Sequence, residues 1–152
     1  MNRIENDVII YSYSTASLLD EVELWSAMSA DANAPTAETD ATVVTDDEAR
    51  PVTELLQAAG LHIGTTELGK LSDAPYSYDA SSGTMMLRVR NSGSQSVATI
   101  GQTDATLGEV LALWALHAWL MVKGQRETAA NCLPHLNRAR QRLHQQLFAA
   151  RG

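Results

Sequence analysis

The chain has one cysteine among 152 residues, so no intrachain disulfide can staple it. Aromatics make up only 5%, with a single phenylalanine, so its core has to be aliphatic. No run reaches the roughly 20 apolar residues of a membrane span. The N-terminal segment Val8-Ile9-Ile10 is too short for a secretory core and follows Asn6 and Asp7, so a protein made and kept in the cytosol is expected. Glycine-rich phosphate loops, the nucleophile elbow, metalloprotease motifs and calcium-loop spacings are missing. No fixed-period repeat is visible.

What the chain does have is Leu107 to Val122, LGEVLALWALHAWLMV, apolar on nearly every side. A helix of that kind has to be wrapped by other elements, so it reads as the centre of one small domain covering 1–152. The formal net charge is −7, unevenly spread. Residues 1–50 carry eleven acids against Arg3 and Arg50; residues 123–152 carry six bases against Glu127. Unlike ends can neutralise each other within one molecule or between copies. An acidic chain is a poor generic binder of nucleic acid.

The element reading is mainly α: four helices with a β-hairpin inserted between helices 2 and 3. Val8 to Tyr11 reads as either a short strand or an ordering arm. Ser17-Leu-Leu-Asp20 matches a capping box and opens a helix to about Ala30, with Leu18, Val22, Trp25 and Met28 on one face. Residues 31–44 form an acidic loop. Thr45-Asp-Asp-Glu48 is a second capping-box match, and its helix carries Val52, Leu56, Ala59 and Ile63 on one stripe. Pro51 is expected to kink that helix or delay its start. Gly60 and Gly64 weaken its later turns by about 1 kcal/mol each relative to alanine, and it ends around Leu68 to Leu71. In 74–91 the alternation of Met85, Leu87 and Val89 with Met86, Arg88 and Arg90 predicts a hairpin strand with one buried face. Val97 to Ile100 reads as extended, with the central helix starting at Thr103-Asp104. Gly124 suits the turn into a last helix from about Gln125 to Ala149, with Leu133, Leu136, Leu143 and Leu147 inward and Pro134 bending it.

Chemistry-bearing residues are sparse. Cys132 and His135 share a helical face, but two ligands with His144 far along do not make a zinc site. A cysteine–histidine nucleophile pair needs contact and an orienting group, and Cys132 reads as a small buried hydrophobe. His117 reads as a buried, hydrogen-bonded core histidine. Asp46, Asp47 and Glu48 form an acidic cluster at a helix start. Trp114 and Trp119 are five apart and cannot share a narrow face, so Trp119 is a candidate for a subunit contact.

The order helix, loop, helix, hairpin, antiparallel helix pair resembles the head–tail adaptor or neck proteins of tailed bacteriophages. The resemblance is carried by Leu18-Leu19-Asp20-Glu21-Val22, by Thr45-Asp46-Asp47-Glu48-Ala49-Arg50, and by Gly108-Glu109-Val110 through Trp114 and Trp119 into an arginine-bearing helix. It points to structural proteins from phages and prophages of gut bacteria. It implies a homo-oligomeric ring docked on the portal and meeting tail or stopper proteins, with DNA passing through its channel without sequence-specific binding. It implies no enzymatic activity, no cofactor and no membrane, and a place in the virion neck, or otherwise in the bacterial cytoplasm. Candidate interface residues are then Trp119, Arg138, Arg140 and Arg142 on one side and Asp46, Asp47 and Glu48 on the other. The alternatives are a cytosolic acidic binding module, such as a secretion chaperone or anti-defence protein, and an enzyme, which the missing triad and metal set disfavour.

Overall fold

A computed structural model of the chain describes residues 1–29, 44, 46–91 and 95–148. Most of the expected loop 31–44, and 92–94, lie outside them. The elements run β1 (Asn2–Glu5), β2 (Val8–Ser14), α1 (Thr15–Ser29), a 3-10 turn (Asp46–Glu48), α2 (Ala49–Thr66), β3 (Tyr76–Asp79), β4 (Thr84–Arg90), α3 (Val97–Val122) and α4 (Arg126–Phe148). The fold is mainly α, with four helices and the hairpin β3–β4 between the second and third.

The hairpin belongs to a larger sheet. The N-terminal strands join it, giving an all-antiparallel order β1-β2-β4-β3. Asn6 and Asp7 turn β1 into β2 with φ of 51° and 62°, the two-residue left-handed geometry that suits strand twist and that short polar side chains tolerate. The alternation in β4 is as read: Met85, Leu87 and Val89 are buried, and Met86 and Arg88 only half so. The register sets Ile9 beside Val89, Tyr11 beside Leu87, and Tyr76 beside Leu87 on the inner face.

That inner face lies on α2. The two glycines expected to weaken α2 admit Tyr76: a methyl at Gly60 would sit 2.6 Å from the Tyr76 ring, and one at Gly64 would sit 3.0 Å from Tyr76 Cβ. Backbone entropy is exchanged for close sheet packing. The stripe Val52, Leu56, Ala59 and Ile63 is fully buried, as expected.

Helix α3 is the centre. Leu107, Val110, Leu111, Leu113, Leu116 and Leu120 are fully buried, and α1, α2 and α4 all pack on it. By length and composition it could cross a membrane, but most of its apolar window is buried inside the protein.

Several boundaries differ from the sequence expectation. Helix α1 starts at Thr15, because Ser14 Oγ accepts the Ser17 amide at 3.1 Å and takes the capping role expected of Ser17. Met28 is 63% exposed; Ser26 turns inward instead, its hydroxyl donating to the Glu23 carbonyl and accepting the Val44 amide. Val97–Ile100 are helical, since Ser96 Oγ accepts the Thr99 amide and starts α3 a full turn and more before Thr103. Pro51 occupies the first turn of α2, where no intrahelical N–H bond is lost, and α2 ends at Thr66, short of Leu68. Helix α4 continues through Pro134. Its inward face is Ala129, Cys132, Leu136, Ala139, Leu143 and Leu147, and Leu133 lies aside at 38% exposed.

Candidate functional site

The basic last helix is the natural place to begin. Arg140 donates from Nε and Nη2 to Glu67 Oε1, at 3.2 and 2.9 Å, tying α4 to the end of α2. Arg142 donates to both oxygens of Glu109, at 3.0 and 3.1 Å, tying α4 to α3. Arg138 reaches only His135 Nδ1, at 3.0 Å, and meets no carboxylate among the described residues. Two of the helix's four arginines are therefore neutralised inside the molecule. The arginines' partners come from the middle of the chain, not from its acidic first third.

The acidic cluster acts differently from a cap. Glu48 occupies the N-cap position of α2 without bonding its amides; its carboxylate meets Lys123 Nζ at 3.1 Å. Asp47 is exposed, and the Asp46 side chain is outside what is described. Lys123 also lies over the Trp119 ring, 5.7 Å from its centroid. Trp119 is 9% exposed, so the monomer itself covers it. Expected as a subunit contact, it sits beneath Lys123, the C-cap residue of its own helix, and its indole N–H has no partner among the described residues.

Cys132 and His135 diverge. The thiol is buried 3.9 Å from the Leu113 carbonyl, and burial pushes it up to about 11, far from a thiolate nucleophile. The His135 ring packs on Trp25 of α1, 5.4 Å between centroids. His62 packs on Trp114 in the same manner at 5.3 Å, and His144 on Phe148 at 4.6 Å. His117 is half-buried, not buried as expected. Among the described residues, no group of three His, Cys, Asp or Glu is placed to hold a metal ion.

A groove between α1 and α3, unnoticed in the sequence, gathers more polar chemistry. It encloses about 320 Å³ over a floor of Gly101, Ala105 and Gly108, beneath Tyr13, Glu21 and Asp104. The small residues let the Tyr13 ring approach: a methyl on Gly108 would sit 3.3 Å from Tyr13 Cε1. Tyr13 donates its hydroxyl to the Asp104 main-chain carbonyl at 2.7 Å; burial, with Asp104 nearby, holds its pKa well above the ordinary tyrosine range. Burial also raises the Glu21 carboxyl, with the Glu109 charge adding to it and a hydrogen bond from Trp25 opposing. Asp104 accepts from the Asn2 amide at 2.9 Å and from the N-terminal ammonium. The groove is anionic and accepts hydrogen bonds, which suits an incoming ammonium or guanidinium. No sequence motif marks it, because Tyr13, Glu21, Asp104 and Glu109 come together only through the packing of α1 on α3. A second recess of about 530 Å³, beside Arg140, Glu67 and His144, is open and hydrophilic.

The class defined by this geometry is a mainly-α domain with a one-sided antiparallel sheet. No family model, curated protein or solved structure matches the chain.

Proposed function

We propose that the chain is a non-enzymatic assembly subunit, and in its sharpest form a head–tail adaptor of a tailed bacteriophage that docks on a portal and closes into a ring with copies of itself. The observation that carries this reading is the outer stripe of α1. Leu24 is 60% exposed and Met28 63% exposed, one turn apart, beside exposed Asp20 and half-buried Glu23. Two apolar side chains exposed one turn apart and rimmed by charge suit a protein contact. Portal and tail or stopper proteins would be the further partners, with DNA passing through the ring.

The gene's surroundings test the virion part of this. Genes for portal, terminase and capsid beside it are expected, and a neighbourhood of unrelated metabolic genes would refute it. Sedimentation up to millimolar concentration tests the assembly part; mass rising above that of a monomer is expected.

The anionic groove beside Tyr13 favours a second reading, an acidic binding module that takes a basic segment of one small partner. Such a module would purify with that partner at equal stoichiometry and would not self-associate.

A further inference from the structure

Strand β1 is one edge of the sheet, and half of its main-chain groups face away from β2. The Ser12 amide donates to the Met1 carbonyl at 2.8 Å, and the Met1 nitrogen donates back to the Ser12 carbonyl at 3.1 Å. Bonded pairs alternate with unbonded ones along an antiparallel ladder, so Arg3 and Glu5 make the next bonds, to Ile10 and Val8. Asn2 and Ile4 therefore aim their N–H and C=O groups outward, where no strand pairs with them among the described residues. All four side chains of β1 are exposed. Ile4 is 54% exposed although it stands beside fully buried Ile9, on the core-facing side of the sheet.

Sheet edges are commonly guarded by proline, by charge or by a covering element. The opposite edge follows that rule: Pro75, which has no N–H, leads into β3, and Asp79 ends it. Strand β1 has no proline and no single sign of charge. Its sequence is instead self-complementary. Asn2-Arg3-Ile4-Glu5-Asn6, laid antiparallel on a second copy with Ile4 opposite Ile4, sets each Arg3 against the other copy's Glu5 and each Asn2 against the other copy's Asn6. The outward groups also allow a register centred on Arg3, but that sets arginine directly opposite arginine, which is unfavourable. Arg3 Nε already lies 3.4 Å from its own Glu5, with both side chains more than half exposed. An ion pair so exposed holds little. Joining two copies keeps both pairs and adds two more, with four charges alternating in sign around a square.

The geometry points to a second copy of this chain as the occupant of the β1 edge, joined antiparallel about a two-fold axis at Ile4, so that two four-stranded sheets become one. Two main-chain hydrogen bonds link Ile4 to Ile4. The two Ile4 side chains cover each other on the inner face, and the square of Arg3 and Glu5 lies on the outer one. The axis stands perpendicular to the sheet, so both copies keep their helices on the same side. The contact is isologous and stops at a pair. It goes beyond the ring reading, which needs unlike surfaces, and does not depend on it. So short an edge covers far less than the roughly 800 Å² per partner of a stable complex, so the pair forms only at high concentration.

Sedimentation equilibrium at millimolar concentration tests it. Wild type is expected to approach twice the monomer mass. Ile4→Pro removes only an N–H that faces away from β2; it is expected to abolish the pair and to leave the thermal unfolding of dilute protein little changed. Arg3→Glu and Glu5→Arg each set like charges across the axis and are expected to weaken pairing about tenfold. Mixed in equal amounts, these two single variants meet with opposite charges at every position, and the mixture is expected to pair as wild type does, as is the double variant R3E/E5R. Pairing that survives I4P, or a mixture no stronger than either single variant alone, overturns the edge contact and gives the added mass to another face. Mass above a monomer in I4P reports ring contacts alone, so the two readings fail separately. Wild type that stays monomeric throughout overturns the edge contact together with the assembly reading.

Discussion

Replacing Gly60 by alanine separates two opposed effects. In an exposed helix the change gains about 1 kcal/mol, because glycine has the greater backbone freedom to lose. Here the added methyl would stand 2.6 Å and 3.2 Å from the Tyr76 ring and 3.1 Å from Met85 Sδ. Forcing a methyl into a filled space costs about 1–3 kcal/mol, so the net is a loss of about 1 kcal/mol. Gly101 is the built-in control. It lies in α3, and a methyl there meets nothing within 4 Å, so Gly101→Ala keeps the full gain. In a chain of this size 1 kcal/mol is about 2–4 °C in Tm. Thermal unfolding is expected to show G101A above wild type and G60A below it by such amounts. With Tyr76→Ala already present, Gly60→Ala is expected to become stabilising, since the obstructing ring is gone. If G60A raises Tm as much as G101A in the wild-type background, the account of Tyr76 seated on glycine is wrong.

Other substitutions probe the charges and the buried groups. Arg138→Glu is expected to leave stability within about 0.5 kcal/mol, whereas Arg140→Glu and Arg142→Glu each lower Tm by setting like charges beside Glu67 and Glu109; equal effects in all three would contradict the intramolecular pairing. Glu21 has a folded-state pKa held above its unfolded value by burial and by the Glu109 charge, so the native state keeps its proton to higher pH. Its contribution therefore favours folding at low pH and is lost as pH rises from the unfolded value through the raised folded one. Glu21→Gln is expected to flatten the pH dependence of urea unfolding across that window and to raise stability at neutral pH; a steeper curve would reverse the assignment. Cys132→Ser puts a hydroxyl into an apolar site and is expected to cost about 1–3 kcal/mol, while the native thiol reacts with a disulfide reagent only as fast as the protein opens. Gly83→Ala and Gly124→Ala, at φ of 65° and 75°, are each expected to cost about 1 kcal/mol, read by the urea midpoint.

Much of the fold was legible because it follows from periodicity. The alternation in Thr84–Arg90, the stripe of α2 and the all-round apolarity of Leu107–Val122 each dictate one local answer. Helix ends were less legible, since Ser14 and Ser17, three residues apart, can both cap, and only tertiary packing chooses between them. The four-stranded sheet was hidden because Asn2–Glu5 has a fully exposed side-chain pattern; its main-chain pairing to β2 holds it, and that leaves no hydrophobic trace. The groove was invisible because its small floor residues and its carboxylates lie on separate segments. Trp119 misled because spacing alone counts faces, whereas in the fold Lys123, held by Glu48, lies over the ring.

The distribution of charge in the sequence differs from its distribution in the fold. A block of arginines near one end of a sequence reads as a basic surface, yet the helix divides them: Arg138 and Arg142, four apart, share one side and Arg140 faces another. On both sides an arginine meets a carboxylate at a neighbouring helix of the same molecule. Once Arg140 and Arg142 hold Glu67 and Glu109, they stiffen the α2–α3–α4 packing and have little charge left for a partner. A strand behaves otherwise: residues two apart stay on one side, and an antiparallel register sets arginines from different strands side by side. Arg88 and Arg90 are therefore set on a single face with Arg3, where Glu5 pairs with Arg3 and Asp73 with Arg90. Reversing Arg140 or Arg142 is therefore expected to appear first as lower stability of the monomer, through the loss of their contacts with Glu67 and Glu109.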